Sequence, residues 1–448
     1  MWTTAAATLL ALLLAGAPTG PSYARGLPGH EGTSEPRPPS TPLHHLVVMV
    51  QQGHTFDNYF GTRPGVDGLP RQVCASVSRG SGCLPSYRLN GSPHVALTDT
   101  ARAQRRAVDG GRMDGFVRAQ SVHGQDARAV MAHYSKATLP VLTGLADRGA
   151  VFDRWFSGVA GGPVANDLFL AAGQAPRRAD TVPPEGWQDM PLIFDRLQAA
   201  GVPWRIYVEG YQPAVTLRTA GPGELRAGQV ARVPVLATQR FLRSDLFRSH
   251  VVPLRRYYAD LVHRNLPAVS LLVTTEHTER PPRNPVTDQV VVRAAVNALF
   301  ASREWPNSAF LLTYGSSGGW YDHVRPPTVD GARLGLRVPT VLLSPYVEPG
   351  TVVHRQYDAA AVLRLIEQNW RLAPLTRRDR TARSLLPLFS FGIDHRRPSL
   401  IDVRASRGPV AQPNSDVLYA GYLVALAAAL GCVGWVVLRR GEQLAGRP

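Results

Sequence analysis

Lysine is almost missing from this sequence: of 49 lysine and arginine residues, Lys136 alone is lysine. Cysteine is nearly as scarce, three residues in 448, and no Cys/His spacing suggests a zinc site, so a zinc-built or disulfide-dense scaffold is excluded. No basic run interleaved with aromatics occurs, which removes the usual footprint of nucleic-acid binding. Long apolar runs are confined to the two ends. With 44% hydrophobic and 18% charged residues the chain is neither disordered nor fibrous and can bury a large core. The arginines leave a formal charge of +16. That charge has a functional reading, attraction to anionic lipid or an envelope polymer, and a bland one, the codon bias of a GC-rich genome.

The ends predict a compartment. Residues 1–24 read as a secretory signal peptide: an apolar run over 5–15, then Pro18 and a small-x-small site at Ser22, Tyr23 and Ala24. The missing n-terminal charge leaves an uncleaved anchor as the alternative. Residues 25–42 form a Pro, Gly and Ser-rich leader, and 404–416 a tether. Residues 417–438 carry no charged side chain and precede Arg439 and Arg440. At roughly 1.5 Å rise per residue this stretch just spans a bilayer as one C-terminal transmembrane helix, leaving 439–448 as a cytoplasmic tail and the main domain outside the cell membrane. Cys74 and Cys83 flank a polar loop and in an oxidising space predict a disulfide.

Between these ends, residues 43–403 alternate apolar strands with helical segments, the pattern of an α/β domain with a mostly parallel sheet and helices on both faces. HLVVMV (45–50), VPWRIYV, PAVSLLVT, AFLLTY (309–314) and VPTVLLSP read as buried strands. Helices are expected around 125–134, 289–302 and 358–370. The segment 211–258, rich in Arg and Pro, reads as an insertion or partly helical subdomain. Polar residues follow the strands at the sheet edge where α/β folds keep their chemistry: His54, Asp57 and Asn58 after the first, Glu276 and His277 after PAVSLLVT, Asp322 and His323 after AFLLTY. A glycine-rich turn at Gly161 and Gly162 opens a helix, a weak anion-site signal by itself.

HLVVMVQQGHTFDNYFG, GGRMDGF, LPVLTGLADRGAVFDRWFS, IFDRLQAAGVPWRIY, GGWYDHVRPP and RVPTVLLSPYVEPGTVVHRQYD together resemble, in order, the bacterial phosphoesterases that include phospholipase C and a related acid phosphatase. The resemblance implies an alkaline-phosphatase-like fold and a metal-dependent hydrolase of phosphate esters. It also marks departures. The family's Glu-Asn metal pair after the first strand falls on Gln52 and Gly53, its Asp-Glu pair after the central strand on Gly315 and Ser316, and its nucleophile on Pro163. Asp57, Asn166, Glu276, His277, Asp322, His323 and His354 are retained.

Hard divalent cations need several oxygen ligands, preferably anionic, and proline has no atom that attacks phosphorus. Ser157 or Ser317 comes near only by slipping the alignment. No metal ligand set and no cofactor is therefore expected. His277, Glu276 and His323 remain as the residual catalytic pocket, with His54, Asp57, Asn166, Asp322 and His354 beside them; each also has an ordinary reading as a locally satisfied polar residue. Two functions stay open: a membrane-anchored, extracytoplasmic phosphoesterase-like protein with an eroded site and a binding role at the cell envelope, or an active hydrolase with a rearranged site and a divalent metal.

Overall fold

A computed structural model describes residues 37–77, 82–120, 127–176, 179–188, 190–244, 249–392 and 398–401. The expected signal peptide, tether, transmembrane helix and tail lie outside them, and among the described residues no helix is long and apolar enough to cross a membrane.

Eight short apolar runs build the central sheet: β1 (His45–Gln51), β2 (Ala150–Phe152), β3 (Trp204–Val208), β4 (Val251–Pro253), β5 (Val269–Val273), β6 (Ser308–Tyr314), β7 (Val341–Leu343) and β8 (Thr351–Val353). Their spatial order is β8-β2-β7-β6-β1-β5-β3-β4, and β7 alone runs against the others. Side chains alternate between faces along a strand, yet Val47, Val48, Met49 and Val50 in β1 are all buried, so both faces are covered. Parallel pairing aligns Val50 with Thr313 and Val273, and Gln51 with Tyr314. The three central strands therefore end level and deliver their following loops to one place.

The helices that matter are α1 (Ala101–Val108), α2 (Pro140–Arg148), α3 (Pro163–Ala172), α4 (Ile193–Ala199), α5 (Arg255–Val262), α6 (Pro285–Ala301) and α7 (Ala360–Trp370). α6 begins where Asn284 accepts a hydrogen bond from the Val286 N–H and Pro285 presets the first turn; Val292, Ala295, Val296 and Leu299 then form its buried stripe. α1 starts at a Thr100 cap and buries Ala103, Ala107 and Val108 while Arg102, Arg105 and Arg106 face solvent. Beneath α1 lies a satellite core of Phe116, Met131, Trp320 and Leu336, separate from the main core around the sheet.

Two expectations are corrected. Residues 211–258 are no separate subdomain: Val230, Val233 and Phe241 belong to the main core, and the segment supplies the edge strand β4. In place of a helix over 125–134, a 3₁₀ turn at Ala127–Met131 leads into a two-residue strand paired with Tyr87–Arg88. Its buried residues run almost contiguously instead of at helical spacing, and such a run suits a tight turn. Cys74 and Cys83 are joined by a disulfide between two facing strands.

Candidate functional site

The loops after β1 and β6 touch backbone to backbone. The N–H groups of Gly53 and His54 both donate to the Ser316 carbonyl, at 3.0 and 3.1 Å. This crossing brings Gln52, Gly53, Gly315 and Ser316 into one cluster, and the space between them is filled. Ser316 Oγ donates to Gln52 Oε1 at 3.1 Å, and Gln52 Nε2 donates to Asp167 on α3 at 3.1 Å. Arg232 completes the group: its Nε donates to Asp167 at 2.7 Å and its two other nitrogens to the carbonyls of Thr274 and Val50. Gln52, Asp167, Arg232 and Ser316 are all buried. Burial pushes the Asp167 carboxyl up despite the guanidinium beside it.

Pro163 occupies the first position of α3. Asn166 ties down the turn before it, donating to the Gly161 and Gly162 carbonyls and accepting from the Val159 N–H. From above, Gln104 of α1 donates to the Gly161 carbonyl at 2.8 Å, and Asp99 accepts from the Gly318 N–H and from Arg280. Both serines considered as substitutes are buried, Ser317 beneath Gln104 and Ser157 against Gly335.

At the rim of the same edge, Glu209 at the end of β3 gathers the loop after β5. One carboxylate oxygen accepts the N–H groups of Thr275, Glu276 and His277, and the other accepts His277 Nδ1–H at 2.6 Å. The His277 side chain is 39% exposed, and Glu276 faces solvent. Ligand atoms of Glu209, Glu276 and His277 come within 4.8 Å of one another.

The third group surrounds Arg337, which is fully buried and donates to Asp322 and Asp57 at 2.8 Å each and to the carbonyls of Asp67 and Asp153 at 2.7 Å. His323 Nδ1–H donates to Asp57 at 2.6 Å. Burial pushes Asp322 up to about 6 against the pull of Arg337. For His323 burial works downward, and its bond to Asp57 outweighs it, raising the imidazole above its ordinary value. His354 Nδ1–H donates to Asp153 from an exposed position. These residues clamp loops together around a guanidinium.

His54 lies inside the core, stacked between Tyr59 and Trp320. Burial pushes its pKa down to about 4, although both ring nitrogens face oxygens, Asn58 Oδ1 at 2.6 Å and the Glu279 carbonyl at 2.8 Å. The rings of His54, His277 and His323 thus bond to different partners, although Gln51 Nε2 links the His277 carbonyl to the Glu279 carboxylate. Sequence reasoning missed Glu279, a fully buried carboxyl that accepts from Tyr59, Tyr314 and Gln51. Burial raises it to about 7. It also missed Asp167, Arg232, Glu209 and Arg337. Asp167 directly follows Asn166 and was within reach of the glycine-rich turn; Arg232 sits in a segment without periodicity and carried no signal.

A profile of the Phosphoesterase family matches residues 43–373. The chain belongs to the Phosphoesterase family. Among curated relatives, non-specific phospholipase C6 of Arabidopsis thaliana is 25% identical over 87% of this chain and 81% of its own. Phospholipase C B of Mycobacterium tuberculosis is 27% identical over 73% of each. Of solved structures, a protein in the alkaline phosphatase superfamily from Vibrio parahaemolyticus superposes with a TM-score of 0.40 at 11% identity, covering 76% of this chain and 70% of the other. That superposition is too loose to carry residues across. Phosphoesterase resemblance implies a divalent cation at the Gln52, Gly53, Gly315 and Ser316 cluster, and the donors present do not fit one. Among the described residues Asp167 is the only carboxylate bonded into it, and it is already paired with Arg232. A Cβ at position 315 would stand 2.6 Å from Gln52 Nε2 and 3.0 Å from Asp167 Oδ1, so a ligand-bearing side chain there would have to displace the Gln52 amide from its bonds.

Proposed function

We propose that this chain is a non-hydrolytic member of the Phosphoesterase family, anchored at the cell envelope by residues 417–438, where it binds an anionic envelope component. The observation that carries the reading is the filled cluster: where the resemblance puts metal ligands, Ser316 bonds Gln52, Gln52 bonds Asp167 and Asp167 is paired with Arg232, and the resemblance puts the nucleophile at Pro163. The side chains there offer a divalent cation no carboxylate except the one paired with Arg232, and proline has no atom to attack phosphorus. The binding role is supported by α1, which covers this closed site with its inner face. On its outer face Arg102, Arg105 and Arg106 have no acidic partner among the described residues. Three free guanidinium groups on one helix face suit phosphate-bearing headgroups or polymer.

The test is hydrolysis of an aryl phosphate and of phosphatidylcholine by the full chain in mild detergent, with and without added divalent metals, beside a His277→Ala control. The expected result is no turnover above that control, together with greater retention on anionic than on neutral vesicles, an excess that the Arg102, Arg105 and Arg106 triple change to Ser abolishes. A second reading, hydrolysis by a rearranged site, is favoured by the rim pair of Glu209 and His277, a carboxylate-oriented imidazole of the kind that serves as general base, and by the similarity to phospholipases C. Turnover that disappears with His277→Ala would establish it in place of the first.

A further inference from the structure

The buried cluster pairs a full positive charge with a single carboxylate, and both are held by several hydrogen bonds. Arg232 reaches it from the aperiodic segment before β4 and is 2% exposed. Its three bonds run to three different elements: the Asp167 carboxylate on α3, the Thr274 carbonyl after β5 and the Val50 carbonyl in β1. Asp167 in turn accepts Gln52 Nε2–H on the other side. A buried array of carbonyl and carboxylate oxygens needs a cation or several N–H donors.

We propose that Arg232 is a built-in cation that replaces a divalent metal in holding the strand ends and α3 together, with Asp167 as its counter-ion. The inference rests on the proposed absence of metal-dependent hydrolysis but concerns what maintains the fold. A guanidinium supplies one charge and five N–H donors in a planar fork, enough to bond the three oxygens it meets here. Unlike a metal it cannot be exchanged or chelated. A divalent ion entering the cluster would meet that fixed positive charge and the Gln52 amide nitrogen, both of which repel it. Position 315 is glycine and position 316 serine in the same cluster, so the anionic ligands that a metal needs are absent where the substitute cation is present.

The experiment uses the full chain in mild detergent, unfolded thermally in chelator or in excess Mg²⁺, Mn²⁺, Ca²⁺ or Zn²⁺, with bound metal counted by elemental analysis after dialysis. The wild-type midpoint should agree in chelator and in each metal within about 2 °C, with no metal bound stoichiometrically. Arg232→Met leaves Asp167 buried without its partner and should lower the midpoint by about 5–10 °C. A second change, Asp167→Leu, should restore most of that loss, because removing both charges is cheaper than removing one. Stoichiometric metal in the wild type, or a midpoint that falls in chelator, overturns the proposal, and so does a double variant no more stable than Arg232→Met. If Arg232→Met does not fold, the wild-type metal measurements and the double variant still decide. Hydrolysis by metal-free wild type would defeat the non-hydrolytic reading while leaving Arg232 in this role, whereas bound metal without hydrolysis would do the reverse.

Discussion

Two polar groups stand at the same edge of the same sheet and obey different rules. In the interior, Gln52, Asp167, Arg232 and Ser316 are buried and bonded to one another. At the rim, Glu276 and His277 are open to solvent, and Glu209 holds their loop by three backbone N–H groups. Gln52 and Ser316, where the phosphoesterase resemblance expects acidic ligands, are in the first group, and Glu276 and His277, which match the resemblance, are in the second. The contrast follows from solvation. A buried position that loses an anionic ligand leaves its neighbours unsatisfied until something fills the space, so several residues must change together. A rim residue is hydrated whatever its neighbours do, so replacing one leaves the others solvated.

This contrast can be broken most directly by restoring charge to the interior. Gly315→Asp with Ser316→Glu places two carboxylates against Gln52 and Asp167 and should cost about 4 kcal/mol or more, read from urea unfolding, without restoring aryl-phosphate hydrolysis. Recovery of hydrolysis would mean that the interior had kept a working nucleophile after all. Arg232→Ala should cost about 3–5 kcal/mol by the same measurement.

Glu279 tests the interior through pH. Its folded-state pKa of about 7 lies above the ordinary carboxyl value of 4.5, so the contribution of its protonated form is complete below pH 4.5 and is lost as pH rises through 7. Glu279→Gln should remove that slope, a relative gain on the order of 2–3 kcal/mol at pH 8 compared with pH 4.5. An unchanged slope in the variant would show that Glu279 ionises as an ordinary carboxyl.

At the rim the effects should shrink. His277→Ala should change stability by about 0.5 kcal/mol or less, because the ring is partly exposed and its carboxylate partner keeps the backbone donors. Glu209→Gln should cost more, about 1–2 kcal/mol, since it weakens several charge-assisted bonds together. Smallest of all, changing Arg102, Arg105 and Arg106 to Ser should leave the urea midpoint within about 0.5 kcal/mol of wild type, and any loss of vesicle retention in that variant should vanish for both proteins at high salt.

The sheet was legible in the sequence because its strands are short contiguous apolar runs, buried on both faces, and because each ends abruptly in polar or glycine residues. The crossing of Gln52 and Gly53 with Gly315 and Ser316 was legible too, since two parallel neighbours with level ends must deliver their loops together. The occupant of that crossing was not. Arg232 arrives from a stretch with no periodicity, and nothing local distinguishes it from the other arginines of an arginine-rich chain. His54 misled for the opposite reason: a histidine in a strand-end loop reads as a site residue, and only the rings of Tyr59 and Trp320 on its two faces reveal it as core. The clamp role of Asp57, Asp322 and His323 likewise depends on Arg337, which lies 14 positions beyond His323.

The backbone crossing after β1 and β6 also bears on how such a chain changes over generations. Gly53 has φ +80° and a Cβ there would stand 2.9 Å from the Arg280 backbone, while one at Gly318 would stand 2.0 Å from the Gly53 carbonyl oxygen. Gly318 accepts no side chain while the loop after β1 holds its place, Gly53 none while Arg280 holds its own, and position 315 faces Gln52 and Asp167. A change toward an acidic residue at Gly53 or Gly315 therefore passes through a less stable protein, with no gain in chemistry to offset the loss. The lineage is free to vary its rim, but its route back through the interior is closed one step at a time.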